Sequence, residues 1–307
     1  RMDSSYENFW YLELGGNRDA IGDTEEVARE LRALAMGTWD YVKNSGNYDA
    51  DNWELEFFGF LPGKRESRRM VGEYIITAND LLENTPFPDT VAYGGWPIDD
   101  HYPDGFYHEG RPNTNILPER PYSVPYRALY SKNVENLFFA GRNISMTHFA
   151  MSSMRVMATC ALMGQAVGTA AALASRYGLT PHGVYTHRLS ELQTALMDAD
   201  CFLPAMVRPV GDVCRRTVLV DKDGVPVPDG DTLRNGQDRP SIHYGTTICG
   251  LSLPNGEGVE YRLGAPTAVE SVHLTFDSDL DRATLPGDKC EREHATRANI
   301  RLAAPQV

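Results

Sequence analysis

The chain has 307 residues, 42% hydrophobic and 23% charged, with a formal net charge of −13. That size and apolar content suit a globular protein of two domains, and the acidic balance argues against nucleic acid or an anionic membrane surface as a partner. Its five cysteines, Cys160, Cys201, Cys214, Cys249 and Cys290, are odd in number and form no CxxC, so neither a zinc site nor a disulfide framework is indicated.

Tyr6–Gly15, with its FWYLELGG run, reads as a strand. Asp23 and Glu26 have the spacing of a capping box, and Val27, Leu31 and Leu34 fall on one helical stripe with Gly37 near its end. Trp39–Asn47 continues as helix or turn, and the apolar-rich Glu54–Leu61 stops at the turn dipeptide Pro62-Gly63. GKRESRR, Gly63–Arg69, then crowds cations around Glu66. Such a run is usually a solvated face. Here it sits between apolar segments, ahead of a predicted strand at Val71–Thr77, where arginines can clamp a carboxylate or phosphate.

Asp80–Asn84 reads as a short helical turn. Prolines from Pro86 to Pro125 punctuate what reads as a long loop-rich region. Within it GGWP precedes Asp99, Asp100 and His101. An Asp two residues from a His in extended chain shares its face, the arrangement of an acid–base pair; unrelated polar residues on a surface loop are the alternative. His108 has no such context and is expected on the surface.

Leu137–Ala140, between Asn136 and Gly141, reads as a buried strand of a parallel sheet. After a loop, Arg142–Phe149, one long helix is expected from about Ser152 to Tyr177, closed by Gly178. Gly164 and Gly168 lie one turn apart and would let another backbone approach. Strand, glycine turn and helix N-terminus together make a site for an anion or dipole. Val156–Ala174 carries no charge and is long enough to cross a membrane. It is rich in Ala, Gly and Thr and lacks flanking aromatic belts, so a buried helix is expected rather than a span.

Val184–Met197 fits a helix with Leu189, Leu192 and Leu196 on one face. Beyond it, β-rich runs at Thr217–Val220, Ile242–Tyr244, Val259–Leu263 and Val269–Phe276 alternate with Asp-Gly and Asn-Gly turns. Asp277, Asp279 and Asp281 open like a calcium loop, but Arg282 replaces its glycine and Asp288 its final glutamate, so no metal is expected. Asn143–Ser145 matches a glycosylation sequon within the turn. No GxSxG, HExxH or phosphate-loop motif occurs.

Several motifs in one order carry a family resemblance: RESRR, GGWPIDDH (Gly94–His101), PYRALYSKNVENLF (Pro125–Phe138), AGRNIS-x-TH (Ala140–His148) and G-Q-A-x-G (Gly164–Gly168). Residues 6–204 resemble the bacterial FAD-dependent oxidoreductases of glutathione-reductase-like fold. The resemblance implies an α/β class (α+β overall). Residues 1–205 would be a partial FAD-binding fold with its substrate region. Residues 206–307 would be a β-sandwich-like segment, similar to galactose-binding-like modules. It implies FAD, hydride transfer to or from a small polar substrate, sugar-like or acidic, and neither nucleic acid nor metal. Since no GxGxxG follows a strand, the chain is expected to be a fragment without the Rossmann half that grips the pyrophosphate. Cofactor contacts are expected from Gly141, Arg142, Asn143, Ile144, Ser145, Thr147, Arg155 and Gly164. His148, His101 and Arg68 are expected in catalysis. Many relatives carry an acidic residue after the glycine; Arg142 shifts the expected contact to a phosphate or flavin carbonyl. The competing reading is a carbohydrate-binding or adhesion fragment acting through the C-terminal segment, which lacks tryptophan but offers Tyr244 and Tyr261.

Overall fold

The computed structural model describes residues 12–237, 250–254 and 256–275. The chain divides into two compact units, one running to Met206 and the other beginning at Val207. Helices and small antiparallel sheets build both, a mixed α/β composition.

In the first unit, α1 spans Thr24–Asn44. It runs through Gly37, where an end was expected, and the Asp23–Glu26 capping box does not form. The Asp23 carboxylate accepts instead from the Asp19 amide at 3.2 Å. Glu25 and Glu26 still complement the positive helix end. In the last turn the Lys43 ammonium donates to the carbonyls of Ala50, Asp51 and Trp53, folding the chain back on itself. Residues 12–15 are irregular, and the rest of the strand expected at Tyr6–Gly15 lies outside the described residues. Residues 53–61 carry no regular structure and expose their apolar side chains, Phe57 at 80% and Leu61 at 79%.

The expected strand Val71–Thr77 is an extended segment pinned on two sides. Gly72 bridges Ser131 in antiparallel fashion and Ile76 bridges Met146 in parallel. Gly72 has no alternative there, because a Cβ would sit 2.6 Å from the Arg127 carbonyl oxygen and 3.0 Å from Ser145 Cβ. The segment feeds α2, Ala78–Leu82, through a reciprocal capping box between Thr77 and Asp80.

The proline-rich region is not a long loop. It holds β1 (Thr90–Gly94), β2 (Ile98–His101), β3 (Asn113–Ile116) and β4 (Tyr122–Pro125). β1 pairs with β4 and β2 with β3, both antiparallel. Pro97, Pro112 and Pro121 fall just ahead of strands and Pro125 ends one, places where a missing N–H costs no ladder bond. Leu137–Ala140 is not a strand of a parallel sheet either. Phe138 forms one antiparallel bridge to Tyr130, and Leu137 stays 38% exposed. An apolar run becomes a central strand only with partners on both sides, and the described residues supply one.

The expected continuous helix is two helices, α3 (His148–Met154) and α4 (Met157–Tyr177). The break falls at Arg155 and Val156, where Val156 is extended (ψ 147°) and Arg155 is tethered to Asp99. Gly178 closes α4 in the left-handed conformation (φ 63°), as expected, with its N–H on the Ala174 carbonyl. α5, Pro181–Asp198, starts behind the Thr180 cap. α4 packs on α5 and β1. Ile76, Leu81, Tyr122, Tyr126, Met163 and Leu196 are fully buried in the core around them. Under this core Asp89, with no exposed surface, receives the Arg127 backbone N–H, Nε and Nη2 at 3.0, 2.9 and 3.1 Å. By length and composition α4 could cross a membrane, with mean hydropathy 1.4, and a third of that window is buried in the unit.

In the second unit, α6 (Asp212–Arg215) precedes β5 (Val218–Val220), which pairs antiparallel with β6 (Glu260–Arg262). These match two of the expected β runs. Residues 269–275 are irregular and exposed, while Ile242–Tyr244 and the acidic run from Asp277 to Asp288 lie outside the described residues. One ribbon, not a sandwich, is what the described residues form.

Candidate functional site

Three elements converge in the first unit: the RESRR loop, β2 and the turn entering α3. Thr147 caps α3, its side chain accepting from the Ala150 N–H, and its own N–H holds the Ile76 carbonyl at 2.8 Å. That fixes where His148 emerges. Its Nδ1 lies 2.6 Å from Glu66 Oε2 and its Nε2 2.8 Å from Asp100 Oδ1. Ser152, one turn further along α3, donates to the same Asp100 oxygen at 3.0 Å. Glu66 also pairs with Arg69. The His148 side chain remains 48% exposed, so the ring is both held and reachable.

On the other face of β2, Asp99 and His101 lie side by side, as the alternation of a strand requires, with Asp99 Oδ2 3.5 Å from His101 Nε2. Asp99 also binds Arg155 Nη2 at 2.8 Å and takes a hydrogen bond from Asn113. His101 Nδ1 contacts Glu13, which pairs with Arg65 at 2.7 Å. The His101 side chain is 14% exposed. Burial, with Arg65 nearby, pulls the Arg155 guanidinium below its ordinary value. Through its hydrogen bond to Asp99, Arg155 at the C-cap of α3 ties that helix end to β2.

The expected residues divide accordingly. His101 and Arg155 come together on one face of β2, and His148 meets Asp100 on the other. Arg68 does not join them: it is exposed, with its charge felt by Asp19. From the same loop Arg65 and Glu66 reach the cluster instead. Arg142 is exposed, donates to the Lys64 carbonyl at 3.4 Å, and its charge is felt by the Cys160 thiol, which burial pushes up. The backbone of Asn143 and Ser145 is spent on pairing: the Asn143 carbonyl accepts from Met70, and Ser145 bonds Ala128 and Ile76. Ile144 is fully buried. Ser145 Oγ is buried and has no partner among the described residues. Gly164 lies two turns into α4 on its open face. A Cβ there or at Gly168 would meet nothing within 4 Å, so the expected close approach is not made by any described residue. Sequence reasoning missed Glu13, Glu66 and Ser152. The first is brought in over a long sequence separation that carries no local signal.

A model of the FAD dependent oxidoreductase family matches residues 8–196. That is more than half of the 307 residues. The chain belongs to the FAD-dependent oxidoreductase family. No curated protein and no solved structure matches it. Membership implies FAD as the cofactor of this oxidoreductase and supports a flavin-dependent redox function.

The turn before α3 and the start of α4 suit such a group. Gly141 adopts φ +97°, open to glycine, and an added Cβ would find only Asn143 Oδ1 at 3.9 Å. The first turn of α4 has no side-chain cap, and Met157 is 89% exposed. Its first-turn N–H groups carry no side-chain cap, and the Arg142 charge reaches Cys160 in that turn, an arrangement that favours an electronegative edge. Among the described residues no His, Cys, Asp and Glu group is placed to hold a metal ion.

Proposed function

We propose that this oxidoreductase transfers hydride between a small polar substrate and FAD, within a glutathione-reductase-like fold to which it contributes the substrate face and the flavin-facing turn. The observation carrying the proposal is the position of His148. It is held between Asp100 and Glu66 at the head of α3, a few residues beyond the Gly141 turn. FAD, when bound, supplies the two-electron acceptor or donor. Gly141, Arg142 and the first-turn amides of α4 would hold it. His148 takes or gives the proton that accompanies hydride transfer. Asp100, steadied by Ser152, orients the ring. His101, enclosed by Glu13, Asp99, Arg65 and Arg155, is a positioning residue that fixes β2.

The test is a titration of the chain with FAD, followed by quenching of flavin fluorescence. Arg142→Ala is expected to lose a charge-assisted contact worth about 1.5–3 kcal/mol, about ten- to a hundredfold in affinity. Arg68→Ala and His148→Gln should bind FAD as the parent does. Arg68→Ala losing FAD while Arg142→Ala keeps it would overturn the assignment.

A further inference from the structure

We propose that the substrate group received beside His148 is a neutral hydroxyl, and that the site turns away carboxylates and phosphates. The inference rests on the reading that His148 faces substrate and goes beyond it by naming the substrate's chemistry. As sequence, RESRR looks like an anion clamp. In the structure two of its three arginines are already paired. Arg65 pairs with Glu13, Arg69 with Glu66, and Arg155, arriving from α3, with Asp99. Arg68 lies outside the cluster, and Arg142 turns to the Lys64 carbonyl.

What the cluster shows to solvent is the His148 ring with a carboxylate at each nitrogen. Asp100 Oδ2 takes no hydrogen bond among the described residues, while Oδ1 holds His148 and Ser152. An anion arriving at this ring meets the Glu66 and Asp100 carboxylates at hydrogen-bond range, with Arg69 already paired to Glu66. A hydroxyl, in contrast, can donate to a carboxylate oxygen, which is an acceptor only. Oxidation of such an alcohol balances on these groups. The O–H proton would pass to the carboxylate–histidine pair, FAD when bound would supply the two-electron acceptor for the C–H hydride, and the C–O single bond would become C=O.

The test follows the ring signal of His148 by NMR in the full chain, assigned through its loss in His148→Gln, at constant pH and ionic strength. Glycerol is expected to shift the signal to saturation, while acetate and inorganic phosphate leave it in place. Glu66→Gln releases Arg69, so phosphate should then move the signal at least tenfold more readily than in the parent; circular dichroism checks that the variant is folded. If Glu66→Gln does not fold, Asp100→Asn replaces it; it removes the other carboxylate charge at the ring, so phosphate should again move the signal more readily than in the parent. Acetate or phosphate saturating the parent signal below the glycerol concentration overturns the proposal. So does a signal indifferent to glycerol, or a folded variant that gains no phosphate response. An FAD titration alongside keeps the two readings apart. FAD binding together with phosphate at His148 refutes only the hydroxyl. A glycerol shift without FAD binding refutes only the flavin.

Discussion

Asp89→Ala should be the most damaging single change in the frame beneath the site. The carboxylate is fully buried and receives three hydrogen bonds from one residue, the Arg127 amide, Nε and Nη2. Its removal leaves a guanidinium whose side chain is only 26% exposed without its counter-charge. Breaking one side of such a pair costs about 3–5 kcal/mol. Arg127 sits 5.4 Å from the Tyr74 ring and 5.5 Å from the Tyr185 ring, and those faces recover some of the loss, about 0.5–1 kcal/mol each. The net expectation is about 1–4 kcal/mol. For a unit of roughly 200 residues each kcal/mol moves Tm by about 2–4 °C, so a drop of about 2–16 °C follows. Urea denaturation by tryptophan fluorescence measures it, and Asp89→Ala/Arg127→Met should recover part of the loss by removing the stranded charge. A loss below about 1 kcal/mol, or a double variant less stable than Asp89→Ala, would refute the reasoning.

Gly178→Ala places a Cβ in the left-handed cap of α4 and should cost about 1 kcal/mol in the same assay. Burial first, then the hydrogen bond to Asp80, push the Tyr74 phenol up to about 12, so the fold favours its neutral form. Its contribution is complete below the ordinary tyrosine range, near pH 10, and is lost as pH rises toward 12. Tyr74→Phe should therefore flatten the fall in Tm across that window, and an unchanged slope would count against it. Arg68→Ala should move Tm by no more than a surface change does, less than about 0.5 kcal/mol. Arg65→Ala should cost about 1 kcal/mol, because it strips Glu13 and His101 of a partner.

The helices were the legible part. Leu192 and Leu196 mark the buried face of α5, and Gly178 announces the end of α4 because glycine adopts the left-handed cap without a Cβ penalty. β5 and β6 were legible as β-rich runs, but β2 and β3 were not, because IDDH and NTNI lack apolar alternation and are fixed by pairing with each other rather than by burial of one face. Nothing in the local run Met154–Met157 signals the break between α3 and α4; a carboxylate on β2 tethers Arg155 there. The site was half legible. A His after a glycine turn and an Asp-x-His in extended chain were informative, whereas the pairing of the RESRR cations with Glu13 and Glu66 depends on folded proximity.

The segment 70–77 sets the order in which this molecule can assemble. It meets its antiparallel partner at Ser131 and its parallel partner at Met146, both far downstream, with the β1–β4 and β2–β3 pairs in the chain between. Closing such long loops costs entropy before any contact rewards it, and it slows folding relative to local helix formation. α4 and α5, adjacent in the chain and packed on each other, can form an early nucleus. The RESRR loop and the His148 turn come into register only when residues 70–77 thread between their two partners. His148 and Glu66 are therefore expected to meet in one of the last steps of folding, and hydrogen exchange should show that junction opening before the α4–α5 pair.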